Sequence, residues 1–387
     1  MRRRPLGVEI LGISPYNKGA LLMLEAIRAR FREELPAARL GLPWSWPAEQ
    51  RLALGLYSTY PRERGRVDVA RLADLLPRTF RAGVGLLSPD DIDVVLDASG
   101  FAYGDYWGLA KLQRRLGRTA SHWKTDRRTL ILLPQALGPF EAAGMAHQWQ
   151  RAQRGADLVF ARDRSSMAYV QATGGGDRAR LSPDFTNLLH PDLPARLAHV
   201  RGALLLVPNE KMVIGQNEGR RALYMEFLRL CAERFLATGR DVLLLVHEGR
   251  GDRQLAAELN TQVSKPITLV DEPSPLVTKA VIAAAHATVS SRFHGLVSAL
   301  SAAVPSLACG WTHKYGELMA DYGCPEFNVD LADRAAWPHK LDHLVRAAQD
   351  DAVRASLQQA ASAQQKLSEE MWAGIFSLVR QRHGAVA

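Results

Sequence analysis

Short, nearly unbroken runs of Val, Ile and Leu alternate along this chain with longer segments of helical spacing, and the alternation runs through twice. A strand with one wet face alternates apolar and polar residues. An unbroken apolar run marks a strand covered on both faces, as in a parallel sheet flanked by helices. In the first series the spacing predicts strands over residues 6–13, 92–97, 129–133 and 157–161. Helices are predicted over 19–34, 106–116, 141–154 and 163–172. Residues 187–198 carry Pro191 and Pro194 with little periodicity and read as a linker. The pattern then restarts, with strands at 203–207, 242–246, 267–270, 288–290 and 306–308. Helices at 220–237, 253–263, 275–285 and 294–302 connect them, and 340–382 has helical composition. Two consecutive strand–helix series predict an α/β chain of two Rossmann-like domains with parallel sheets. The expected boundaries are 1–190 and 200–365, followed by a C-terminal helix over 366–387.

Composition narrows the function classes. With 47% hydrophobic and 23% charged residues over 387 positions, the chain can bury a large core and is not a disordered or collagen-like sequence. Its net charge of +9 suits anionic partners. The basic residues are scattered, with Arg62, Arg64 and Arg66 as the densest cluster, and no zinc finger or RNP-type aromatic signature accompanies them. A solvated Arg-rich surface explains most of the excess, and nucleic acid is not expected. Cys231, Cys309 and Cys324 form no CxxC pair and no disulfide framework, which points to a reducing compartment. Met1-Arg2-Arg3-Arg4 could open a signal peptide, but Glu9 interrupts the next apolar run and no cleavage pattern follows. No stretch has the roughly 18 apolar residues of a membrane span. The expectation is a cytoplasmic protein, with its positive charge suited to a peripheral stay at an anionic inner membrane face.

Ligands of open α/β sheets bind beyond the carboxyl ends of the strands. Ser291-Arg292-Phe293-His294-Gly295 leads from a buried strand into an apolar helix. A helix start presents free N–H groups, Arg292 could add a bidentate grip on carboxylate or phosphate, and His294 could move a proton. The structural alternative is that His294 packs the helix start and Arg292 pairs with a nearby acid. Arg162-Asp163-Arg164-Ser165 is a second such corner, with Arg162 a candidate anion ligand and Asp163 read as an N-cap. Asn17-Lys18-Gly19 opens the first helix without forming a P-loop or a GxGxxG fingerprint. Asp97, before Ser99-Gly100, either acts as a base or orients a sugar hydroxyl, or else caps the following turn. Phe101, Tyr103, Tyr106 and Trp107 either stack on sugar faces or pack the core. His313 and Lys314 are a further candidate pair. His247-Glu248 is half of a metal pattern without partner spacing, so no metal is expected.

The run Ser290-Ser291-Arg292-Phe293-His294-Gly295-Leu296-Val297-Ser298-Ala299-Leu300, then Val304-Pro305 and Trp311-Thr312-His313-Lys314-Tyr315, resembles the C-terminal signature of the polysaccharide pyruvyl transferase family. The resemblance extends through Asn17-Lys18-Gly19, residues 97–100, Pro134-Gln135 and Ala161-Arg162-Asp163. It implies a GT-B-like fold, two Rossmann-like domains facing across a cleft. It also implies transfer of the enolpyruvyl portion of phosphoenolpyruvate to a sugar, as a pyruvate ketal. Arg162, Arg292 and His294 would be the catalytic set, and with Gly295 and Lys314 would hold the donor. Asn17, Asp97, Tyr103 and Asp105 would lie on the acceptor side, in the N-terminal domain. No cofactor is implied, since phosphoenolpyruvate is a co-substrate. The acceptor would be a sugar, a nucleotide sugar or a lipid-linked glycan. Two positions depart from the family pattern. Ala20 stands where an acid often follows Asn-x-Gly, and Ser99-Gly100-Phe101 stands where paired glycines are common. Two other readings share the fold: a glycosyltransferase with a nucleotide-sugar donor, for which Glu317 would serve alone on the ribose, and a non-catalytic binding protein.

Overall fold

The computed structural model describes residues 4–60, 74–117, 128–214 and 218–384, so the Arg62, Arg64 and Arg66 cluster lies outside the described residues. The chain divides into two compact units. The first takes Met1–Pro15, Met23–Asp184 and Glu369–Ala387, and the second takes Tyr16–Leu22 and Phe185–Ser368.

The first unit is built on a sheet whose described strands are all parallel. They are β1 (Gly7–Leu11), β2 (Arg39–Pro43), β3 (Tyr57–Thr59), β4 (Leu86–Leu87), β5 (Val94–Asp97), β6 (Phe101–Tyr103), β7 (Thr129–Leu137), β8 (Leu158–Ala161) and β9 (Ala179–Leu181). The order is β4-β3-β2-β1-β5-β7-β8-β9, with β6 added to β7. Successive side chains of a strand face opposite sides. Val95, Leu130, Leu132 and Val159 enter one core cluster, while Val94, Leu96 and Ile131, on the other face, are equally inaccessible. Both faces are covered, as the unbroken apolar runs require.

The second unit repeats the architecture with β10 (Leu204–Val207), β11 (Val242–Leu245), β12 (Thr268–Val270), β13 (Ala287–Ser290), β14 (Ser306–Cys309) and β15 (Asn328–Val329). The order β12-β11-β10-β13-β14-β15 is the doubly wound arrangement. Leu204 and Leu206 pack into one cluster, and Leu205 and Val207 into the other. Cys231, Cys309 and Cys324 are buried and free, and burial pushes the Cys309 thiol up to about 12. No helix among the described residues is long and apolar enough to cross a membrane.

The long apolar runs match their predicted strands to within a few residues. The short strands β2, β3, β4, β6, β9 and β15 were not anticipated, because two to five residues with Gly, Pro, Ser or Arg among them carry no periodicity. Residues 106–116 form a turn, a short helix at Leu109–Leu112 and a π-helical turn at Gln113–Gly117, because Gly108 takes a positive φ of 78° before the helix starts. The helix expected from 253 instead begins at Gly249, with Glu248 as its N-cap residue, since Gly249-Arg250-Gly251 reads locally as a loop. The predicted linker contains 3₁₀ turns at Phe185–Leu188 and Ala195–Val200.

Candidate functional site

The order of the second sheet reverses between β10 and β13, and that is where a doubly wound sheet opens a ligand crevice. The chain leaves β10 through Pro208-Asn209 and leaves β13 through Ser291-Arg292. The two exits are tied together. Asn209 Nδ2 donates to the Ser291 carbonyl at 2.7 Å, and Tyr315 Oη donates to the same carbonyl at 2.9 Å. Arg292 is the N-cap residue of the helix Phe293–Leu300, and its backbone N–H donates to Ser290 Oγ at 3.2 Å. Gly295 sits against that hydroxyl, where a Cβ would come within 2.7 Å of Ser290 Oγ.

Arg292 is buried and its fork is occupied. Nε donates to Asp252 Oδ2 at 2.9 Å, Nη2 donates to Asp252 Oδ1, and Nη1 donates to Glu248. Burial works against the charge of Arg292, but the Asp252 and Glu248 carboxylates outweigh it and hold its pKa above the ordinary value. Asp252 lies in the first turn of the helix Gly249–Asn260 and is fully buried. It also accepts the backbone N–H groups of Glu210 and Glu248, each at 2.9 Å. Of the two readings of Arg292, the structure displays the ion-paired one.

Glu248 is held differently. Asn17 Nδ2 donates to Glu248 Oε1 at 2.5 Å, while Asn17 Oδ1 caps the first helix by accepting the N–H of Ala20 at 2.7 Å. Lys18 follows, with Nζ donating to the carbonyl of Val246 at 2.9 Å and lying 3.9 Å from Asp271. Burial lowers the Lys18 pKa although Asp271, Asp252 and Glu272 oppose it. A Cβ on Gly19 would come within 2.8 Å of His294 Cγ, so only glycine admits the imidazole there. Asn17, Lys18, His247, Glu248, Asp252, Arg292 and His294 therefore belong to one constellation inside the second unit.

His247 ends the run from β11 and is buried, and its Nε2 has no hydrogen-bond partner among the described residues. Burial, with Arg292, Lys18 and His294 nearby, drives its pKa well below the usual imidazole value, so the ring is neutral. Among the described residues no group of three or more His, Cys, Asp and Glu side chains is arranged to hold a metal ion. Lys314 has aromatic neighbours, with Nζ 5.3 Å from the Phe293 ring centroid, 5.6 Å from Trp311 and 5.7 Å from Tyr315. Glu317 is in the first turn of the helix Lys314–Asp321.

The remaining sequence candidates lie in the first unit. Arg162 follows β8, is buried, and donates through Nη1 to Asp184 Oδ2 at 3.1 Å. Asp163 is the expected N-cap, accepting the Ser166 N–H at 2.7 Å. Asp97 accepts the Ser99 N–H at 2.9 Å, the turn-capping alternative, and the Tyr103 hydroxyl at 2.5 Å. Both Asp97 and Tyr103 are buried. Asp105 accepts the N–H groups of Glu141 and Ala142 at 2.9 and 3.2 Å. Tyr106 and Trp107 are the more exposed members of the aromatic cluster, stacked edge-on at 4.9 Å. Sequence reasoning singled out the Asn17-Lys18-Gly19 loop but gave Lys18 no role of its own, and it missed Asp252 and Asn209 as parts of a site. Only Asn209 left a usable signal, a polar residue directly beyond a buried strand.

The family model for polysaccharide pyruvyl transferases matches residues 17–313. The chain belongs to the polysaccharide pyruvyl transferase family. The matched span includes the whole Asn17 to His294 constellation. Solved structures share the fold at low identity. A putative UDP-N-acetylglucosamine 2-epimerase from Listeria monocytogenes superposes with a TM-score of 0.58 at 11% identity, covering 98% of each chain. A glycosyltransferase from Rickettsia africae gives 0.56 at 10% identity, covering 98% of this chain and 99% of its own. The UDP-GlcNAc 2-epimerase from Neisseria meningitidis bound to UDP-GlcNAc gives 0.52 at 9% identity, over 95% and 100%. The fold is therefore GT-B-like α/β, with two parallel sheets.

Proposed function

We propose that this family member transfers the pyruvyl group of phosphoenolpyruvate to a sugar of a polysaccharide or its precursor, forming a ketal. The observation that carries the reading is the grouping of Arg292, His294, Lys18 and Asn17 at the switch point of the second sheet, within the segment matched to the family. Phosphoenolpyruvate has a carboxylate and a phosphate on one small carbon frame. A guanidinium, an ammonium and a helix start are suited to such an anion. On this reading Arg162 serves the donor as well, and Lys314 with Gly295 completes the donor set. Asp97, Tyr103 and Asp105 are the acceptor-side residues of this reading, with the partly exposed Tyr106 and Trp107 as candidates for stacking on a sugar ring, while Asn17, bonded to Glu248 in the second unit, moves from the acceptor side to the donor side.

The chemistry is a protonation followed by two additions. A proton delivered to the methylene carbon leaves an oxocarbenium-like centre at C2. One sugar hydroxyl adds there, a second displaces the phosphate, and the protons the two hydroxyls lose balance the one taken up by carbon and the one that leaves with phosphate. His294 is the group we assign to proton delivery, since Gly19 leaves its ring room and Arg292 precedes it by two residues. His247, neutral at working pH, is suited to donating or accepting a hydrogen bond beside it.

The test is differential stabilisation by ligands. A ligand of the native state at about a hundredfold its dissociation constant adds roughly 2.7 kcal/mol. Phosphoenolpyruvate is expected to raise the melting temperature and Arg292→Ala to abolish the rise. A rise with nucleotide sugars and none with phosphoenolpyruvate refutes the donor assignment.

A further inference from the structure

The donor reading meets an obstacle, because all three nitrogens of Arg292 already face carboxylates. An incoming anion can use the guanidinium fully only if one carboxylate leaves. Asp252 cannot be that one. It is fully buried, bidentate on Arg292, and fixed by two backbone N–H groups. Glu248 is different in each respect. Its side chain keeps 18% exposure, it meets Arg292 through Nη1 alone, and its other side-chain bond is to Asn17.

We infer that Glu248 is a displaceable counter-ion, a positioning residue that pairs with Arg292 Nη1 until the donor's anionic groups drive it off. The inference rests on the donor reading above. Its physical basis is that of any competition for one cation. Two carboxylates satisfy a buried guanidinium before substrate arrives, so the charge is never left unpaired. The price is a weaker hold on any anion that must evict one of them. A lone inorganic phosphate gains too little to evict Glu248, whereas phosphoenolpyruvate brings a carboxylate and a phosphate together. Glu248 thereby favours donor over released phosphate at the same cation. Its position as N-cap residue of the helix Gly249–Asn260 supports this role. Its backbone N–H is anchored on Asp252, so the side chain can swing without moving the helix.

The experiment is calorimetric titration of full-length protein with phosphoenolpyruvate and, separately, with inorganic phosphate, for wild type, Glu248→Gln and Glu248→Asp. Glu248→Gln removes the competing charge. It is expected to bind phosphoenolpyruvate at least tenfold tighter, and inorganic phosphate with a larger gain still, so discrimination between the two narrows. Glu248→Asp keeps the charge and is expected to stay closer to wild type in both. A purely structural ion pair moves the other way: both variants melt lower and neither binds tighter. Unchanged or weaker phosphoenolpyruvate binding in Glu248→Gln overturns the counter-ion role alone. Absence of phosphoenolpyruvate binding in every protein, wild type included, overturns the donor reading and this inference with it. A crystal structure of wild type with phosphoenolpyruvate bound is independent of how the variants fold. Glu248 is expected away from Arg292 there, and a retained pair overturns the proposal.

Discussion

The substitution Asp252→Asn removes one charge and almost no volume, yet the geometry predicts a large loss of stability. Asp252 accepts four donors: the Glu210 and Glu248 backbone N–H groups, Arg292 Nε and Arg292 Nη2. Each carboxylate oxygen takes one backbone N–H and one guanidinium N–H. An asparagine can offer one oxygen, so whichever way it is turned, its NH₂ faces two donors. Two buried donors lose their acceptor at about 1–3 kcal/mol each, and the guanidinium loses its better-anchored counter-charge. Breaking a buried ion pair from one side costs about 3–5 kcal/mol, and the two descriptions of the same loss agree. For a folding unit of 150–250 residues, 1 kcal/mol moves the melting temperature by roughly 2–4 °C, so a drop of about 6–20 °C is expected. Differential scanning calorimetry reads it as a downward shift in part of the endotherm. A double-mutant cycle with Arg292→Gln isolates the pair and should show coupling of about 2 kcal/mol or more. A drop below about 3 °C, or additive effects in the cycle, refutes the claim that Asp252 anchors Arg292.

Three further outcomes follow from individual side chains. Because the folded pKa of His247 is depressed well below its unfolded value near 6.5, the unfolded state binds the extra proton as pH falls; stability should drop by about 0.7 kcal/mol per pH unit at pH 6.5, steepening toward about 1.4 kcal/mol per pH unit near pH 5.5, and His247→Gln should remove that part of the slope in urea melts at pH 5 to 7. Gly19→Ala should gain about 0.5–1 kcal/mol of helix propensity but push the His294 ring aside, so phosphoenolpyruvate affinity falls at least tenfold, and unchanged affinity would rule out the packing argument. Burial, with Arg115 and Arg114 adding to it, lowers the Lys111 pKa to about 8, so about half of Lys111 is the neutral amine at pH 8 and an amine-acylating reagent should modify it several-fold faster than an ordinary lysine, the lower basicity and burial offsetting part of the gain, as read by peptide mass mapping.

The two sheets were legible in the sequence because burial on both faces leaves an unbroken apolar signature. Leu204 to Val207 and Leu130 to Leu133 are inaccessible to solvent over their whole length, and each could be placed from sequence alone. The strands that escaped are those whose formation depends on a neighbour. Tyr57–Thr59 exists because it pairs with Gly41 to Pro43, and Asn328–Val329 because it pairs with Ala308 and Cys309. Such pairing is a long-range fact, and two or three residues hold no periodicity that would announce it. The helix start at Gly249 was hidden for the opposite reason. Its first turn is Gly-Arg-Gly-Asp, a local loop signal that the burial of Asp252 overrides.

That single shift in a helix boundary separates the part of the site a sequence can show from the part it cannot. Arg292 and His294 stand out because a basic residue and an imidazole follow a buried strand and open an apolar helix. The partners of Arg292 lie 44 and 40 residues away, at Glu248 and Asp252, and nothing in either segment names the other. Packing an arginine against a nearby acid and using it to bind an anion look like exclusive readings on the sequence. On the donor reading they become successive states of one side chain. Asp252 supplies the permanent partner that lets a guanidinium stay charged in a buried place, and Glu248 supplies the temporary one that an anion can replace. A cation without the first would not be held in position, and one without the second would stand half-unpaired until substrate came. On that reading both acids are needed for Arg292 to be at once stable and available, so the observed pairing of Arg292 is compatible with a role in holding an anion.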